Sequence, residues 1–206
     1  MAATVTSSPM AALGRAEPPP IARPRVLLVG TAFVCAAIAM LFAGLIGTYL
    51  ALRTQALADV GTWLPADVLV PLTQPNMMML TLVLSVFTIQ WSVSAIKNDD
   101  RANTYLALAV SLLLAFSFIV EEGYLYSLMK WNLALAAPQA SLVYAITGAH
   151  LAMIISAMVF VILMGFRALA GQFTSRQHDG IAAAALYWHV MVAVYALIWF
   201  VIFVTK

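Results

Sequence analysis

Two adjacent carboxylates, Glu121 and Glu122, and three histidines, His150, His178 and His189, are the residues of this chain whose types could do chemistry. A carboxylate and an imidazole held within reach can share a proton, and away from water each also satisfies the other. Two histidines at matching depth can ligate haem, and copper or zinc asks for three or four ligands. Neither set is in sight. His178 falls in a loop, and nothing in the order of His150 and His189 along the chain sets them at one depth. The single cysteine, Cys35, can form no intrachain disulfide and reads as a small apolar packing residue. No GxSxG, HExxH or P-loop occurs. The expectation is a chain with no catalytic residue, no metal site and no cofactor of its own.

The elements that must carry these residues are unusual in their solvent. The chain has 206 residues, of which 64% are hydrophobic and 9% charged, with a mean hydropathy of +0.99. A soluble domain is roughly half apolar and about a quarter charged. Long apolar runs occupy residues 26–52, 76–96, 104–128, 142–166 and 182–204. A bilayer core about 30 Å thick takes about 20 apolar residues per helix. Strands of a membrane barrel are shorter and alternate, and these runs do not. The fold class is therefore all-α: a polytopic bundle of five transmembrane helices over residues 26–206, preceded by a mobile tail over residues 1–25. That tail is rich in Ala, Ser and Pro and holds Pro18, Pro19, Pro20 and Pro24. The first run is too long for a cleaved signal segment. Loops this short hold no soluble domain, so any activity sits within the helices or at their ends. A formal net charge of +2 gives no reason to expect nucleic acid.

Lys and Arg near the span ends set orientation. Arg15, Arg23, Arg25, Lys97, Arg101, Arg167 and Arg176 fall on one side, and Arg53, Lys130 and Lys206 on the other. The N-terminus is thus expected in the cytoplasm and the C-terminus outside. By helical rise, Glu122 then lies about 9–10 Å and His150 about 12–16 Å below the outer surface. A Glu122–His150 contact and two locally satisfied residues are both open. Glu121 and Glu122 point about 100° apart and should meet different surroundings. His189, about 13 Å from the inner surface, is too deep in the inner half to reach Glu122. The outer loop at residues 53–75, with Trp63, Leu64 and Pro65, is an interfacial aromatic anchor or a docking surface. The turn at residues 97–101 caps two antiparallel neighbours. Met77, Met78, Met79, Met153, Met158, Met164 and Met191 read as adaptable packing, and the small residues at 36–37, 43–44 and 182–185 as places of close helix approach.

Several segments resemble one family in order and spacing. Tyr144-Ala145-Ile146-Thr147-Gly148-Ala149-His150 is similar to the TG-x-H segment of haem-copper oxidase subunit III, and Leu186-Tyr187-Trp188-His189 to its YWH segment. Met40-Leu41-Phe42-Ala43-Gly44-Leu45 resembles the M-F-F-A stretch of its short, five-helix bacterial form. Ser85-Val86-Phe87-Thr88 resembles SS-x-T, and Trp63-Leu64-Pro65 the W-P of the first outer loop. The likeness runs from about residue 25 to 206. Departures are substantial: Ile38 stands where the family has a membrane carboxylate, Met153 replaces a second histidine, Val192 replaces an acid, and Q-x-x-E becomes Glu122 and Leu125.

The resemblance implies a non-catalytic accessory subunit in a bacterial plasma membrane. Such a subunit packs on haem-copper oxidase catalytic subunit I, beside the other oxidase subunits or within a respiratory supercomplex. It stabilises subunit I, supports its proton uptake and holds phospholipid. Haem and copper belong to the partner catalytic subunit. Under that reading Glu122 and His150 are core polar groups, while Trp188 and His189 make a helix or lipid contact. An accessory subunit of a nitric oxide reductase and a small proton-coupled transporter are the alternatives, the latter resting on Glu121, Glu122 and His150.

Overall fold

The computed structural model describes residues 25–63, 71–129 and 138–205. Most of the expected tail, residues 64–70 of the first loop with Leu64, Pro65 and Asp67, and both Lys130 and Lys206 lie outside them. The elements are α1 (Val26–Val60), α2 (Thr73–Lys97), α3 (Arg101–Met129), α4 (Pro138–Leu169) and α5 (Asp179–Ile198), which runs on into a π-helical segment, Trp199–Val204. All five helices are long and apolar enough to cross a membrane. The described residues hold no β-strand, only an isolated bridge between Thr174 and Gln177.

Each helix reaches past its apolar run. α1 continues to Val60, eight residues beyond the run's end at 52, because Arg53, Gln55, Ala56, Leu57 and Ala58 are good helix formers. It stops at Gly61, whose φ of 78° is the left-handed conformation of a helix end and whose N–H bonds the Leu57 carbonyl at 3.2 Å. Between α2 and α3 the chain reverses within three residues. Asp99 takes φ 55°, and Asp100 caps α3 by accepting the Asn103 N–H at 3.1 Å.

Contacts between helix ends fix an up-and-down arrangement. At the end where α1 begins (the near end), Tyr105 of α3 donates to the Ala168 carbonyl of α4 at 3.0 Å. Arg25 there faces Asp179 of α5 at 3.7 Å, and Asp99 Oδ1 accepts the Ser175 N–H at 2.7 Å. At the opposite, far end, Trp199 Nε1 of the π segment donates to Asn76 Oδ1 at 2.8 Å. Arg53 of α1 donates there to the Thr205 hydroxyl at 3.0 Å and to the Thr205 carbonyl.

α5 is the hub, touching α1, α2 and α4, and Ile181, Ala183, Ala184, Trp188, Met191 and Ile198 are fully enclosed on it. Its alanines let neighbours approach closely, which in lipid drives association better than apolar character does. α1 is peripheral. It buries only Thr31, Cys35, Phe42 and Tyr49, a narrow stripe at spacings of four, seven and seven residues. Near the start of α5, a Cβ on Gly180 would lie 2.6 Å from the Phe173 ring and 2.7 Å from Met164 Sδ, so this crossing requires glycine.

Candidate functional site: a buried polar cluster

The polar side chains of the sequence converge toward the far half of the bundle, where α3, α4 and α5 meet. Glu122 on α3 is 1% exposed and His150 on α4 is fully buried. One helical turn beyond Glu122 sits Tyr126, its side-chain hydrogen-bond neighbour. Tyr126 meets the Thr147 hydroxyl of α4 at 2.8 Å. The Thr147 hydroxyl also reaches the Val143 carbonyl at 2.9 Å and the Tyr126 hydroxyl also faces Glu122, so either hydroxyl can be the donor between them. His150 Nε2 lies 3.1 Å from the Met191 carbonyl of α5. A carbonyl can only accept, so Nε2 carries the proton and, in the neutral ring, Nδ1 is the lone-pair nitrogen. The ring is boxed by Phe42 of α1 at 6.3 Å, Phe118 of α3 at 5.7 Å and Tyr195 of α5 at 5.2 Å.

Among the described residues Glu122 and His150 make no hydrogen bond to each other. Depth does not separate them. Counting from the Tyr126–Thr147 bond, Glu122 is four residues deeper and His150 three, within about 2 Å of one level. Direction separates them: the imidazole turns to α5 and the carboxyl to Tyr126. Glu122 Oε1 and His150 Nδ1 are both buried without a partner, a costly condition that most buried polar atoms avoid.

Glu121 points elsewhere, to α2, where the Thr81 hydroxyl donates to its two oxygens at 3.1 and 3.3 Å. Trp188 is fully buried and donates from Nε1 to Ser85 Oγ of α2 at 2.9 Å. It is thus a helix–helix tie and touches no lipid. His189, half-buried, turns Nδ1 back to the Ala185 carbonyl one turn earlier. Trp63 is enclosed on α1, donating to the Tyr49 hydroxyl at 3.1 Å with the rings edge to face at 5.3 Å. The rest of that loop, residues 64–70, lies outside the described residues. His178 stays in the α4–α5 loop against the Ser175 carbonyl at 2.9 Å. Cys35 is buried as a free thiol.

Among the described residues no three of His, Cys, Asp and Glu gather as a metal-holding group. What the cluster can do is brace helices. Sequence reasoning missed Tyr126, Tyr195 and Thr81. Tyr126 had a signal, its place one turn from Glu122; Tyr195 and Thr81 had none, since each acts across helices.

The family model described as cytochrome c oxidase subunit III matches residues 23–205. The chain belongs to that family. A subunit III relative in Mycobacterium bovis, named "Probable cytochrome c oxidase subunit 3", is 28% identical over 185 residues, covering 87% of this chain and 90% of the relative. One of the same name in Nocardia farcinica has the same identity and coverage. Another in Rickettsia conorii is 33% identical over 135 residues, 63% of this chain and 47% of that protein. With five helices able to span a bilayer, this member of the subunit III family is a multi-pass membrane protein. Its TG-x-H and YWH segments supply His150 and Trp188, the two fully buried polar ties to α5 and α2.

Proposed function

We propose that this chain is the accessory subunit III of a bacterial terminal haem-copper oxidase, working in aerobic respiration. It packs on the catalytic subunit I, stabilises it and supports its proton uptake, and it carries no electron itself. The family match over residues 23–205 is the observation that carries this reading. The geometry supports it: Tyr105, Tyr126, Trp188 and Trp199 each tie one helix to another, as a rigid supporting bundle requires. The chain sits in the bacterial plasma membrane, with the near end of the bundle in the cytoplasm and the far end outside. Phospholipid is part of the assembly. A groove of about 490 Å³ at the near end, lined by Val26, Gly30 and Thr31 of α1 with Phe160 of α4 and Tyr187 of α5, offers an apolar bed for an acyl chain.

The test is purification of the tagged chain from its own membranes in mild detergent. Haem absorbance and a haem-copper catalytic subunit should come with it in equal amount, and deletion of the chain should shorten the working life of the oxidase in turnover. A tagged chain that brings down no such subunit overturns the reading. A nitric oxide reductase in its place decides for that alternative, and flux through vesicles holding the chain alone, abolished by Glu122→Gln, decides for a transporter.

A further inference from the structure

Glu121 is a carboxylate at membrane depth whose needs the described residues do not meet. It stands eight residues before the end of α3, about 12 Å inside the helix terminus. Thr81, its only hydrogen-bond donor among the described residues, stands eight residues after the start of α2 and so at the same depth. One hydroxyl proton split between two oxygens leaves most of the carboxylate's acceptor capacity empty. The one ion pair among the described residues, Arg25 with Asp179, is at the other end of the bundle. Arg53, the basic residue toward the far end among the described residues, is engaged with Thr205.

Unlike Glu122, Glu121 is not enclosed. It lies half-buried in the α2–α3 seam, flanked by exposed residues: Met77 and Leu84 on α2, Ser117 and Tyr124 on α3. Against lipid tails a carboxylate is costly and finds no partner. Against a second copy of the chain in a two-fold contact, each Glu121 would meet its twin, adding repulsion. A helix that brings a positive charge satisfies both the apolar rim and the acid. The geometry points to this seam as the docking face for a transmembrane helix of another oxidase subunit, one that presents an Arg, Lys or His at the level of Glu121. This deepens the reading above and rests on it. The apolar rim supplies contact area, and the ion pair sets height and rotation, as intramembrane charges do when they mark a partner.

The test places a photoreactive residue at Ser117, one turn from Glu121, and irradiates the whole oxidase in native membranes. The expected result is one protein adduct. Its cross-linked peptide should be a membrane-spanning segment of a different oxidase subunit with a basic residue within about one turn of the attachment point. An adduct with lipid only, with a second copy of this chain, or with a segment lacking a basic residue overturns the inference. As a second arm, Glu121→Lys should lower recovery of the complex by about tenfold or more, and an acid at the partner's basic position should restore it. Recovery unchanged by Glu121→Lys overturns the inference as well. The two readings fail separately. If the wild-type chain brings down the oxidase while Ser117 labels only lipid, the seam is wrong and the subunit III role stands. If no oxidase comes down, both fall.

Discussion

At the scale of single residues, several polar side chains within the spans are cross-braces. Trp188 and Ser85 show the economy of this. The indole N–H reaches α2, while Ser85 passes its own proton to the Leu82 carbonyl at 2.6 Å. Ser85→Ala strands the indole N–H in a dry interior and should cost about 1–2 kcal/mol in unfolding of the purified chain. A double-mutant cycle with Trp188→Phe should assign about 0.6 kcal/mol to the pair itself, the usual size of such bonds in membranes. Asp99, at the near-end turn, gives a pH-dependent counterpart. Hydrogen bonds from Ser175, side chain first and backbone next, hold its carboxyl below the ordinary 3.8. A depressed acid stabilises the fold above its unfolded value and loses that contribution as pH falls through the lower folded value. Protection of the Ser175 amide, taken as its exchange relative to the intrinsic rate at each pH, should therefore be steady above about pH 4 and fall below it. Asp99→Asn should flatten that dependence. The sequence announced these residues unevenly. His150 and Glu122 were legible as buried polar groups because charge and imidazole are rare in apolar runs. The partner of His150 was not, because the Met191 carbonyl leaves no mark in a side-chain pattern.

At the scale of elements, apolar length located every helix, and the physics of helix ends explains where α1 stopped. Lipid sets only the apolar middle; the extra turns of α1 come from helix-forming residues beyond it, halted by Gly61. The π-helical finish of α5 had no signal, since it depends on how Ile202 and Phe203 seat against their neighbours. Glycines divide into those that packing requires and those it does not. Gly180→Ala must push Phe173 or Met164 aside and should lower unfolding stability by about 1–3 kcal/mol, as overpacking does. Gly44→Ala, with nothing within 4 Å of the added Cβ, should be neutral or raise it by up to about 1 kcal/mol through helix propensity. Thermal melts of the two variants beside the parent chain will separate the cases.

At the scale of the whole molecule, the five-helix plan was readable because a bilayer allows few solutions. The order of packing was not, because apolar runs look alike from outside, and only the contacts make α5 central and α1 peripheral. The charge bias predicts an orientation, and reporter fusions test it. Reporter fusions at the 98–100 turn should read as cytoplasmic and those in the segment after Trp63 as external; the reverse pattern would invert the bundle. The π segment bears on the assembled chain as a whole. A π turn closes on the fifth residue back, where an α turn closes on the fourth, so it contains one residue more than regular winding needs. Rewinding all six residues of Trp199–Val204 as ordinary α-helix, with none removed, would swing Thr205 by about 100°. Arg53 would then close on empty space. The widened coil thus acts as an angular spacer, timing the last residue so that the first helix and the last are latched together.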